Sequence, residues 1–192
     1  MVVLYDIFNS SFIDAILFLV YNYAKWGLKP MFKIGEKISY PMHGAGVIVG
    51  IEEQIILDQK RSYYVLRIPH GDMKVMVPVA NSVEVGVRDI IDETKLQEVL
   101  VVLSAESTPM EGNWNKRSRE NMDKLKTGDL CLVAEVVRNL MRNDRKKKLS
   151  TGEKKILGTA TGLLISEIVL VRDISVKEAQ TLIEEAVFSE AS

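Results

Sequence analysis

"VIVGIEEQIILDQKRSYYVLRIPHGDMKVMVPV", residues 47–79, decides the fold. It is rich in Val, Ile and Tyr, residue types that suit a pleated, half-buried surface. The run divides into "VIVGIEEQIIL", a turn at "DQKR", "SYYVLRI", a turn at "PHGD", and "MKVMVPV". Upstream, "EKISY" leads into "PMHGAG", where one Pro and two Gly break the chain within six residues. Short strands with tight turns and no intervening helix predict a small, strongly bent antiparallel sheet or open barrel. Gly44, Gly46 and Gly50 would permit its sharp bends.

Downstream the period changes from two to 3.6. "DETKLQEVLVVLSA", residues 92–105, has apolar residues at helical spacing, with Asp92 or Thr94 as caps. "STPMEG" is a breaker stretch. Four helices are then expected. The first covers residues 114–125 behind Asn113, and the second is entered through Thr127, Gly128 and Asp129. The third starts at the capping box Ser150-x-x-Glu153 and reaches about Arg172. The fourth starts at the box Ser175-x-x-Glu178 and ends near Phe188. Loops this short force antiparallel packing in a compact bundle. The expected fold class is therefore α+β. A β module spans 31–90 and a helical module 91–192, behind an N-terminal extension of residues 1–30.

That extension, "MVVLYDIFNSSFIDAILFLVYNYAKWGLKP", has an apolar stretch at 15–20 too short to span a bilayer, with Asp14 before it. It lacks the positive start and small-residue cleavage pattern of a secretory signal. It reads as a leader or start-site extension ahead of Met31, the alternative being an amphipathic helix over about 12–25.

The formal net charge of −1 conceals an asymmetry. Residues 31–112 hold eight Lys/Arg against twelve Asp/Glu, whereas 113–160 hold thirteen against six, a net of +7. One block is thus basic enough to attract phosphates. Lys116, Arg117 and Arg119 open a helix, Lys124 and Lys126 close it, and Arg138, Arg142 and the run 145–148 belong to the next. Lys154 and Lys155 stand near a helix start, where cations are mildly unfavourable and the helix dipole gives no reason for them.

Few enzymatic signatures survive inspection. The single cysteine, Cys131, excludes an intrachain disulfide and a cysteine metal cluster; it suits a reducing cytoplasm and reads as a small core residue. His43 and His70 each precede a glycine in a turn, without ligand-spaced partners. There is no phosphate loop, dinucleotide fingerprint or nucleophile elbow. No catalytic residue, cofactor, metal, small-molecule substrate or membrane partner is expected, and the expected location is the cytoplasm.

Trp114, in "EGNWNKRSRENMDKLK", is the anomaly: a large apolar ring among polar and cationic neighbours. One reading makes it a packing residue that fixes the angle between modules. The other makes it a wedge that inserts at a base step of DNA, beside phosphate-binding cations.

"GEKISYPMHGAGVIVGIEE", "YYVLRIPHGDMKVMVPV", "VGVRDII", "NWNKRSRENMDKLKTGDLCLVAEVVRNLM" and "LSTGEKKIL" together resemble the CarD/CdnL family of bacterial transcription regulators, over about residues 31–188. The resemblance implies a Tudor-like β module, shared with transcription-repair coupling factor, that binds the β1 lobe of the RNA polymerase β subunit. It also implies a helical domain that touches promoter DNA at the upstream edge of the transcription bubble, largely independently of sequence. There a tryptophan wedges into the minor groove and stabilises the open complex. By position, Trp114 matches the wedge, Arg117 and Arg119 the basic residues after it, and Lys154 a basic residue of the Gly-Glu-Lys motif; Lys116 joins the expected DNA contacts on its charge and place in the same turn. The polymerase face would comprise Gln54, Ile55, Val75, Met76 and Val77. Mycobacterial members carry arginines where Gln54 and Met76 stand. The departure spares main-chain edge pairing but weakens any charge-based contact. Two alternatives stay open on the residues alone: a protein–protein adaptor without a DNA role, and an RNA- or ribosome-binding factor.

Overall fold

Strand β1 (Lys37–Tyr40) turns back into the long β2 (Gly44–Ile56), and β3 (Gln59–Ile68) follows as the second arm of a hairpin. These elements come from a computed structural model that describes residues 32–189. The expectations for residues 1–30 fall outside that range. A single 3₁₀ turn (His70–Asp72) leads to β4 (Met73–Pro78), and a two-residue β5 (Arg88–Asp89) closes the strand series. The antiparallel order is β4-β3-β2-β1-β5, an open five-stranded sheet with β4 and β5 at its edges.

Two backbone features bend and lengthen this sheet. At Gly50 the β2–β3 register slips by one residue, leaving Val49 unpaired in a bulge. The hairpin then continues to Ile56 paired with Gln59, so its loop is only Leu57-Asp58. Both residues have positive φ, 51° and 58°, the left-handed pair that a two-residue turn of the twisted-hairpin type requires. The expected turn at "DQKR" is therefore one residue out of place, and three of its four residues belong to β3.

Five helices follow: α1 (Glu93–Ser104), α2 (Trp114–Lys126), α3 (Leu130–Lys146), α4 (Thr151–Arg172) and α5 (Val176–Phe188). Each start is fixed by a side chain accepting a main-chain N–H. Asp92 takes that of Lys95, Asn113 that of Lys116, and Asp129 that of Cys131. Ser150 and Ser175 form full capping boxes with Glu153 and Glu178. The expected helices thus form, in an α+β arrangement. Leu96, Val99, Leu103, Leu125, Val137, Leu140, Leu164 and Ile183 meet in one apolar core, with Cys131 partly buried against it.

From Lys33 onward sheet and helices form one compact unit, joined through α4. Gly44 lies so close to α4 that a Cβ there would meet Ser166 Oγ at 2.7 Å, and the Ala45 N–H donates to that same oxygen at 2.9 Å. Beside it, Glu167 is 1% exposed. Its carboxylate accepts from Ser39 Oγ at 3.1 Å, from the Ile91 N–H at 2.9 Å and from both terminal nitrogens of Arg88. A buried charge is tolerable only with such complete pairing. Here it fixes β1, β5 and the entry to α1 on one helix.

Candidate functional site

Two surfaces carry the residues singled out in the sequence. The first lies where α2 and α4 begin side by side. Asn113 caps α2, so the next residue, Trp114, projects from the first turn. The residue is 46% exposed. It is neither free nor buried: Nε1 donates to Ser150 Oγ at 3.0 Å, and the ring lies over Gly152, where a Cβ would come within 3.0 Å of it. The α4 capping box is thus also the seat of the tryptophan.

The cations around it divide into two groups. Arg117 is turned inward, its side chain 18% exposed, and pairs with Glu153 at 2.7 Å. Burial alone would raise the Glu153 carboxyl. Hydrogen bonds from Arg117 and from the Ser150 main chain and hydroxyl outweigh that and hold it below the ordinary glutamate value of 4.5. Lys116 is exposed and bonds to Glu111 at 2.6 Å, which raises its pKa. Arg119 and Lys154 are exposed, with no ion pair among the described residues. Lys147 and Lys148 share a cleft of about 520 Å³ with Trp114, Ser150 and Glu153.

Elsewhere in the basic block, Arg138 is 3% exposed and donates to the Val102 carbonyl and to Thr108. Arg142 donates to the carbonyls of Val187, Ala105 and Ser104. Lys124 pairs with Glu135 at 3.0 Å. The outward-facing positive charge is thus narrower than the count of Lys and Arg, and is concentrated near Trp114 and along the α3–α4 turn. Charge counting alone does not single out Lys147 and Lys148; their place after the last turn of α3, just before the Ser150 box, is the signal.

The second surface is the β4 edge with the tip of the β2–β3 hairpin. Gln54 and Met76 lie two strands apart, and the Gln54 amide reaches the Met76 sulfur at 3.1 Å across β3. Val75 and Met76 are half-buried, whereas Val77 is fully buried and turned into the sheet. Ile55 is 71% exposed and Leu57 88% exposed. Strand β4 has a strand neighbour on one side only, so its outer main-chain groups form an open template.

Among the described residues no group of His, Cys, Asp or Glu could hold a metal ion, and no helix is long and apolar enough to cross a membrane. His43 stacks on Tyr40, and His70 lies against Gly162 of α4.

Residues 32–91 match the CarD-like/TRCF RID domain and residues 98–184 match the CarD C-terminal domain. The chain is 38% identical over 151 residues to the "Putative transcription factor YdeB" of Bacillus subtilis (strain 168), covering 79% of this chain and 99% of that protein. With both domains matched in order and a relative covered almost end to end, the chain belongs to the CarD family of transcription regulators.

Proposed function

We propose that this regulator bridges RNA polymerase and promoter DNA. The open β4 edge docks on the β1 lobe of the polymerase β subunit by strand addition. The α2–α4 corner meets the DNA at the upstream edge of the bubble, largely independently of sequence. Main-chain hydrogen bonds supply the first contact, so Gln54 and Met76 can stand where relatives carry arginine. Arg119 and Lys154, with Lys116, face phosphates at the second contact. Trp114 inserts at a base step and slows collapse of the open complex. Polymerase binding makes the DNA contact effectively intramolecular, so weak DNA affinity suffices.

The observation that carries this reading is the half-exposed indole, seated on the α4 start and flanked by outward cations. Base–aromatic stacking is worth roughly 1–3 kcal/mol. Trp114→Ala should therefore shorten open-complex lifetime by about tenfold or more, with polymerase affinity unchanged. An unaltered lifetime in a competitor-challenge assay removes the wedge. Trp114 also contacts its own fold through Ser150 and Gly152, which favours the adaptor reading, with the ring as a packing residue. In that case Trp114→Ala lowers stability and leaves promoter retention intact.

A further inference from the structure

Arg117 stands among the cations that follow Trp114, yet its guanidinium is already committed. Nε and Nη2 both donate to Glu153 Oε1, at 3.0 and 2.7 Å. Nη1 donates to the carbonyls of Glu111 at 2.7 Å and Gly112 at 3.3 Å. Four hydrogen bonds occupy a group with five N–H donors, all directed into the protein.

The other Glu153 oxygen continues the chain. Oε2 accepts from the Ser150 N–H at 3.0 Å and from the Ser150 hydroxyl at 2.8 Å. That hydroxyl has one proton, and donating it to Glu153 leaves Oγ with acceptor capacity only. Oγ then accepts from the Glu153 N–H at 3.3 Å and from Trp114 Nε1, which can only donate, at 3.0 Å. The polarity of the relay is thus fixed from end to end. At the same time Arg117 ties down the two carbonyls just before the Asn113 cap, the main chain from which Trp114 emerges. One side chain therefore controls both the stalk of the indole and the partner of its N–H.

We infer that Arg117 is a positioning residue rather than a phosphate contact: through Glu153 and Ser150 it sets the posture of Trp114 before DNA arrives. A ring held in one rotamer loses less freedom on insertion than a mobile one. The consequence for the open complex rests on the wedge reading above; the consequence for the indole does not.

The test uses the full chain with Trp26→Phe, so that Trp114 is the sole indole. Arg117→Ala should red-shift its emission, increase acrylamide quenching and shorten open-complex lifetime by about fivefold, the loss of roughly one good hydrogen bond. The slope of log affinity for promoter DNA against log salt should not change. Ser150→Ala should give the same emission shift, and Ser150→Thr, which keeps the hydroxyl and the cap, should reverse it. A slope reduced by about one with unchanged emission makes Arg117 a phosphate contact and overturns the inference. Unchanged emission and lifetime overturn it as well. If Trp114→Ala leaves lifetime untouched, the wedge falls, and the emission comparison still decides the positioning role. Should Arg117→Ala fail to fold, Arg117→Lys, which keeps the charge but not the planar fork, decides it: a red-shifted emission with an unchanged salt slope supports the positioning role, and unchanged emission overturns it.

Discussion

The hairpin tip and the α2–α4 corner, two exposed apolar features of this protein, are built in opposite ways. At the hairpin tip, Ile55 and Leu57 are 71% and 88% exposed and rest on a two-residue turn. At the α2–α4 corner, Trp114 is 46% exposed, its N–H bonded and its face seated on Gly152. A surface that works through main-chain pairing needs an open edge and tolerates varied side chains. A surface that works through one ring needs that ring in one place. The difference predicts that substitutions at the sheet edge act through affinity, while those at the corner act through geometry.

Glu167 is one of the α4 side chains that tie the sheet to the helices, beside Ser166, and removing it should have the largest effect. Glu167→Ala leaves Arg88 without its carboxylate partner and strips the Ser39 hydroxyl and the Ile91 N–H of an acceptor. The Ser39 hydroxyl and the Ile91 N–H each lose an acceptor, at about 1–3 kcal/mol apiece, whereas Arg88, with its side chain 32% exposed, keeps water and the carbonyls of Asp89 and Gly128 as partners. The denaturant midpoint should fall accordingly, and polymerase and promoter binding should decline together. A variant of near-normal stability would show that α4 and the sheet are held chiefly by apolar contact.

Met76→Glu probes one side of the comparison alone. The residue sits half-buried on the edge strand, far from the Ser150 seat in sequence and in a different layer. It should weaken binding to the polymerase β subunit about fivefold, equivalent to about 1 kcal/mol, and leave DNA binding by the free protein unaltered. Equal losses in both assays would mean that the sheet and the corner do not act separately.

Much of this arrangement was legible in the sequence, and the reason is locality. Asp92, Asn113, Asp129, Ser150 and Ser175 cap helices by bonding N–H groups two or three residues away, so the caps are written next to the helices they start. Strand β5 was not legible as a strand: it is two residues long and is held by pairing with β1 and by the Arg88–Glu167 contact. The site divides in the same way. An aromatic residue among cations is visible by inspection, whereas the fate of each cation is not. Arg138 and Arg142 donate to main-chain carbonyls of Val102, Val187, Ala105 and Ser104, partners that leave no trace in residue identity. Arg117 does the same with Glu111 and Gly112. Counting charge therefore overstated the outward basic face by three arginines.

Leu57 offers the smallest effect and the finest test of the comparison. A leucine with φ of 51° occupies a conformation that costs an ordinary L-residue roughly 1–2 kcal/mol, and two-residue turns of this kind favour asparagine at that position. The same side chain is 88% exposed, so no packing inside the protein offsets the strain. Local rules broken without an internal gain tend to mark functional positions. Leu57→Asn should raise stability by about 0.5 kcal/mol, read as a small upward shift of the denaturant midpoint. It should also lower polymerase affinity by about twofold through lost apolar contact at the rim of the docked edge. A gain in stability with no loss of affinity would remove the hairpin tip from the polymerase contact. The interface would then reduce to the β4 main chain, the extreme form of a surface indifferent to its side chains.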